Sequence, residues 1–198
     1  DVLRRIPGIN IKTEDETAVV ANFGIRGLSA SESKSLMLED GVPVAPGLFI
    51  GNERYFNPRI QRVATVEVLK GSASLRYGPS TIGGVVNYQT KTPDDGVTVS
   101  GRMGSFNLRE ASVEAGGKSA SGDAFAGIVA THAKSDGFMD KDYQMTDVMA
   151  KAGVIFSDSH KLGIKASRHE NDANISYRGL LLGDYQAGAN YNPAPDDY

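Results

Sequence analysis

The sequence predicts an α+β domain with a mixed sheet, followed by the first antiparallel strands of a longer β-wall. Two observations carry this. Up to about residue 92 the apolar runs are short and broken by glycine, proline and charged residues; after Pro93-Asp94-Asp95-Gly96 they lengthen and fall into period two. The 23 glycines and 8 prolines are spread along the chain, a balance that favours turn-rich β-structure over helices. The domains are therefore placed at residues 1–92 and 93–198.

In the first domain, Val2 to Ile6 reads as one helical turn, stopped by Pro7 and Gly8. Ile9 and Ile11 begin a short strand, and Glu14-Asp15-Glu16 is an acidic loop. Asn22 to Arg26 and Leu36 to Glu39 read as strands. The second turns at Asp40-Gly41 into Val42-Pro43-Val44, a strong hairpin signal. Val63 to Leu69 alternates, with Val63, Thr65, Glu67 and Leu69 on one face and Ala64, Val66 and Val68 on the other. Val85 to Thr90 closes the domain.

The second domain repeats period-two segments: Val97 to Met103, Leu108 to Lys118, Ala124 to Lys134, Thr146 to Phe156 and Lys161 to His169. In the fourth, Val148, Ala150, Ala152, Val154 and Phe156 share one face, with Asp147, Met149, Lys151, Gly153 and Ile155 on the other. Strands of roughly 9–11 residues with one apolar and one polar face suit a transmembrane β-barrel wall. A soluble β-sandwich also alternates, and the strands by themselves leave both readings open. The connections alternate in length. Ser119 to Asp123 and Ser157 to His160 are tight, whereas Ser135 to Gln144 and the stretch from Asn171 are longer, as in barrels with short periplasmic turns and long outer loops.

Composition excludes several classes. A net charge of −3 without a basic stripe argues against nucleic acid as a partner. With no cysteine, neither a disulfide framework nor a cysteine zinc site is available. Gly78-Pro-Ser-Thr-Ile-Gly-Gly lacks the Gly-Lys-Ser/Thr of a phosphate loop. His132, His160 and His169 share no metal-ligand spacing, and no catalytic constellation stands out, so an enzyme is not expected. Asp1 opens directly on VLRRIPG and the chain stops at NPAPDDY, which leads to the expectation of a segment of a longer chain.

Four motifs stand in order: "LRRIPGI" (Leu3 to Ile9), "FGIRGL" (Phe23 to Leu28), "LEDGVPV" (Leu38 to Val44) and "RVATVEVLKGSASLRYGPSTIGGVVNYQTK" (Arg62 to Lys91). In this order and spacing the chain resembles the plug domain of TonB-dependent outer-membrane receptors, the ferric-dicitrate type most closely, continuing into the first barrel strands. The resemblance implies a bacterial outer-membrane location and active import of a ferric chelate, a siderophore or ferric citrate, driven by TonB through a segment upstream of this chain. Cobalamin, another metal chelate or a glycan as cargo, or a passive pore or adhesin, are the alternatives. Outer-membrane lipid surrounds the wall, no cofactor is implied, and iron enters only as chelated cargo.

The resemblance also implies site residues. Arg26 of Ile-Arg-Gly matches the first of two plug arginines that meet wall glutamates, which would lie beyond Tyr198. Lys70 stands where the second arginine is usual, keeping the charge but losing the bidentate fork. Plug loops facing the outer cavity would be Thr13 to Thr17, Leu28 to Ser33 and Ala45 to Tyr55. Thr17, Ser31, Phe49, Asn52, Arg54 and Tyr55 are the ligand candidates, with Arg54 suited to an anionic chelate.

Overall fold

In the computed structural model, residues 3–13, 21–29, 35–44, 57–78, 81–138, 141–174 and 182–188 are described. They divide into two units, residues 1–91 and 92–198.

The first unit opens with a 3-10 turn, Leu3–Arg5, and then forms two sheets. β1 (Ile9–Thr13), β2 (Ala21–Ile25) and β3 (Leu28–Ser29) make an antiparallel sheet in which Ile9 lies opposite Ile25. β4 (Ser35–Glu39), β5 (Val42–Pro43), β6 (Val63–Leu69) and β7 (Gly84–Thr90) make a mixed sheet in the order β5-β4-β7-β6. β4 and β7 are parallel, with Ser35 opposite Gly84 and Glu39 opposite Tyr88. β7 is an inner strand, paired on both edges, and six of its seven residues are buried. Two further 3-10 segments, Ile60–Arg62 and Ser72–Tyr77, bracket β6.

One core joins the two sheets. Leu3 of the opening turn and Phe23 and Ile25 of the first sheet meet Met37, Val63, Val86 and Tyr88 of the second. The simple alternation of β6 places Val63 with Thr65, and the structure corrects this. A bulge between Val63 and Thr65 adds one residue, so Val63 turns back to the side of Val66 and Val68 and is buried in the core.

The two sheets come into close contact at Gly84. Its φ is +144°, and a Cβ there would lie 2.6 Å from the Leu69 carbonyl oxygen and 3.2 Å from Cδ1 of Ile25. Strained backbone and a backbone clash act together. Gly84→Ala is expected to destabilise the unit by about 2–4 kcal/mol. Hydrogen exchange should show it as lost protection of β4 and β7, with the second unit unchanged.

The second unit is an antiparallel meander. β8 (Gly96–Gly104), β9 (Leu108–Lys118), β10 (Ala124–Ser135), β11 (Tyr143–Ser157) and β12 (His160–Ala173) pair in sequence order. All five expected strands are present. β11 starts at Tyr143 and β12 runs on to Ala173, because Tyr143 pairs with both Ser135 and Ala173. The connection expected at Ser135 to Gln144 is therefore shortened to residues 136–142, and it remains the longest between these strands. The turn from β9 to β10 is held by the hydroxyls of Ser119 and Ser121, which donate to Asp123 at 2.7 and 2.6 Å and hold its carboxyl below the usual range. A five-residue helix, Leu182–Gln186, follows.

The faces of this sheet differ sharply. Val97, Val99, Val113, Ile128, Val154, Leu162 and Ile164 lie on one face and are exposed. On the other, Val129, Thr131, Ala133, Met145, Asp147 and Met149 are buried. A soluble sandwich would bury its apolar face against a second sheet. This sheet leaves that face open and buries the mixed one, the arrangement of a wall against hydrocarbon.

Candidate functional site

One end of the first unit gathers the two cations singled out above around the Pro7-Gly8 turn. Pro7 stops the opening 3-10 turn and Gly8, at φ +77°, sends the chain into β1. The Gly8 carbonyl accepts from the Arg26 backbone N–H at 2.9 Å. The Pro7 carbonyl accepts from the Lys70 ammonium, 63 residues away in sequence. Two neighbouring carbonyls thus hold the β2–β3 turn and the end of β6 together.

The cations differ in what their side chains do. Arg26 (φ +54°) and Gly27 (φ +82°) are the centre of the β2–β3 hairpin, a turn with both central residues left-handed. Asparagine or aspartate is the usual first residue there, and an arginine carries a backbone cost of about 1–2 kcal/mol. Its side chain is exposed and makes no hydrogen bond or ion pair among the described residues. Lys70 is half-buried and engaged with Pro7. Beyond it, the Ser74 hydroxyl donates to the Thr81 carbonyl at 2.9 Å and Thr81 donates to Gly78, so the glycine-rich loop is fastened internally.

At the other end of the mixed sheet the Asp40-Gly41 hairpin is bolted to β7. Asp40 accepts from the Thr90 N–H at 2.8 Å and the Thr90 hydroxyl at 2.6 Å, and the Gly41 N–H donates to Asn87 at 3.0 Å. Beside it Arg62 and Glu39, 2% and 5% exposed in their side chains, pair at 2.5 Å. The Tyr88 phenol donates to Asn57 at 3.2 Å, and burial pushes its pKa up. These ties had no local signal in the sequence, since each joins residues 23 to 50 positions apart.

On the buried face of the second unit a polar row crosses four strands, β9 to β12. Ser112 and Thr131 share a hydrogen bond of 3.0 Å, Thr131 lies opposite Asp147, and Asp147 accepts from or pairs with His169 at 3.0 Å. No group of residues able to hold a metal ion occurs among the described residues.

Residues 1–85 match the family model of the TonB-dependent receptor plug domain. The first unit carries this plug-domain match over nearly its whole length. Among solved structures, the ferric citrate transporter FecA in its unliganded form superimposes with a TM-score of 0.72 at 27% identity, over 94% of this chain and 30% of that one. The pyoverdine receptor FpvA of Pseudomonas aeruginosa PAO1 gives 0.70 at 22% identity, over 87% and 25%. The ferric yersiniabactin uptake receptor FyuA of Yersinia pestis gives 0.66 at 22% identity, over 85% and 28%. The chain thus spans less than a third of the receptors it matches. The plug and the antiparallel strands after it agree with the fold expected from sequence, and the protein is placed in the outer membrane.

Of the sequence-derived plug residues, Arg26 and Lys70 come to one end, joined through Pro7 and Gly8. Thr17, Ser31, Phe49, Asn52, Arg54 and Tyr55, with the acidic run at Glu14 to Glu16, lie outside the described residues. The Arg62–Glu39 pair makes a testable claim about plug stability. Glu39→Gln, which leaves Arg62 with a neutral neighbour, should cost about 3–5 kcal/mol. Replacing both by leucine should cost far less, as thermal unfolding of the receptor would show.

Proposed function

We propose that this chain is the plug and first wall strands of an active importer that carries a ferric chelate across the outer membrane, driven by TonB acting on the plug. The carrying observation is Arg26. A plug needs a charged group that reaches the wall and lets go again, and Arg26 is exposed, unpaired among the described residues, and held at a left-handed turn position that costs backbone energy. Its guanidinium suits a wall carboxylate bidentately. Lys70 contributes from inside the plug, steadying the Pro7-Gly8 turn on which the Arg26 backbone rests.

The two cations separate by experiment. Arg26→Ala should lower uptake of radiolabelled ferric citrate while leaving hydrogen exchange of residues 3–9 as in wild type. Lys70→Ala should speed exchange there by roughly fivefold or more, the loss of one charge-assisted hydrogen bond. Equal effects of both variants on uptake, with no change in exchange, would remove this division of roles.

For cargo, we propose that the loop from Ala45 to Tyr55 faces the outer cavity, with Phe49 and Tyr55 giving apolar contact and Asn52 and Arg54 polar contact. Thr17 and Ser31 would add hydroxyls from neighbouring loops. The chain has no native cysteine. Phe49→Cys should therefore be labelled by an impermeant reagent on whole cells and protected by ferric citrate. Arg54→Ala should weaken binding of that anionic chelate by about 1.5–3 kcal/mol. Labelling without protection by ferric citrate, but with protection by cobalamin or a glycan, would reassign the cargo and keep the importer.

A further inference from the structure

The strand register shows where the apolar face of the wall ends. Reading across β9, β10 and β11, one row is Ala115, Ile128 and Ala150, and the next is Val113, Ala130 and Val148. Then come Ala111, His132 and Thr146, and then Arg109, Lys134 and Gln144. All lie on the same face, and the change from apolar to cationic takes two rows. The connections at the opposite end of these strands are 119–123 and 158–159, and those at the cationic end are 105–107 and 136–142; the longest of the four is at the cationic end, which makes it the outer end of the wall.

Arg109 and Lys134 are directly opposite each other in the ladder. Two like charges in that relation repel, and among the described residues neither forms an ion pair. Among the described residues the Lys134 ammonium makes no hydrogen bond. Arg109 uses only Nε, which donates to the Asn107 side chain at 3.0 Å and leaves its two terminal nitrogens open. Asn107 is itself a left-handed turn residue, φ +54°, so the guanidinium is steered by the turn. The carboxylate in the same row, Asp172, stands beyond Gln144, two strands from Lys134 and about 10 Å away.

Below the pair the apolar face is hollowed. Ala115, Ala126, Ala150 and Ala152, with Ile128 and Ile164, line a shallow hollow of about 580 Å³. From Lys134 to Ile128 is six residues of β10, about 20 Å along a strand, which a tilt near 45° reduces to about 14 Å of depth. That is close to the hydrocarbon thickness of one leaflet, about 15 Å.

We propose that Arg109 and Lys134 together bind a phosphate of a lipid headgroup in the outer leaflet, with an acyl chain of the same lipid in the alanine hollow. Two adjacent donors match the several oxygens of a phosphate, and their place at the edge of the apolar band selects a phosphate carried by a lipid. The inference rests on the reading of this face as lipid-exposed.

The test uses the full-length receptor in detergent, titrated with bisphosphorylated lipid A and with its dephosphorylated form. Wild type should prefer the phosphorylated lipid by about 10–30-fold. The double variant R109Q/K134Q should lose that preference while still binding the dephosphorylated lipid. R109K/K134R, which keeps both charges, should retain it and shows that any loss is not misfolding. Lys161→Gln, near the opposite end, should change nothing. An equal preference in wild type and R109Q/K134Q overturns the proposal, as does its abolition by millimolar inorganic phosphate, which would mark a free-anion site. Failure of both lipids to bind wild type would instead remove the lipid-facing reading itself.

Discussion

The bare backbone of Gly84 lying against Ile25 and the Leu69 carbonyl is the contact on which the plug depends. Because no side chain stands there, the three-stranded sheet can lie on the mixed sheet and share its core, from Leu3 and Phe23 through to Val86 and Tyr88. The same closeness brings the end of β6 to the opening turn, within reach of a lysine side chain. Lys70 to Pro7 and Arg26 to Gly8 are consequences of that approach. A bulkier residue at position 84 would separate the sheets and undo both.

The wall obeys a different constraint. A sheet in hydrocarbon must satisfy every backbone polar group through its neighbours, which favours long, regular, in-register strands over the short irregular ones of the plug. The ladder from Val97 to Ala173 is close to uninterrupted, with its one irregularity between Ile155 and Ser157 at the turn end of β11. Burial is inverted relative to a soluble protein: Val99 is 72% exposed while Asp147 is 1% exposed. That inversion, more than periodicity, separates a barrel wall from a sandwich, and periodicity by itself had left the two open.

This difference explains what could be read from the sequence. Strands of the wall follow a strict period of two, so each was legible to within a few residues, and errors fell at ends such as Tyr143 and Ala173, where cross-strand pairing extends the ladder. In the plug, Asp40-Gly41 announced its hairpin because the turn chemistry is local. The Asp40–Thr90 tie was invisible because its partner lies 50 residues on. The bulge at Val63 was also hidden: Val-Ala-Thr-Val alternates well enough as written, and only the core's demand for Val63 shows that Ala64 is the extra residue. Arg26 and Lys70 were recognisable through motif resemblance, but their joint dependence on Pro7-Gly8 required the fold.

Burial sorts three cations of this small domain into three roles. Arg62 is almost wholly enclosed, where an uncompensated charge is costly, and it pairs with Glu39 inside the sheet. Lys70 is half-enclosed, and a single backbone carbonyl suffices because the rest of its ammonium stays near solvent. Arg26 is exposed, so no internal partner is demanded of it, yet the backbone is held in a conformation that a smaller polar residue would adopt more cheaply. A cation retained where the local backbone disfavours it is best explained by something outside the plug that it meets. In the proposed role, where the plug is held in place and then released, an exposed arginine is better suited than a buried one. In that role water would screen its attraction to a wall carboxylate, and a moderate pull would overcome it.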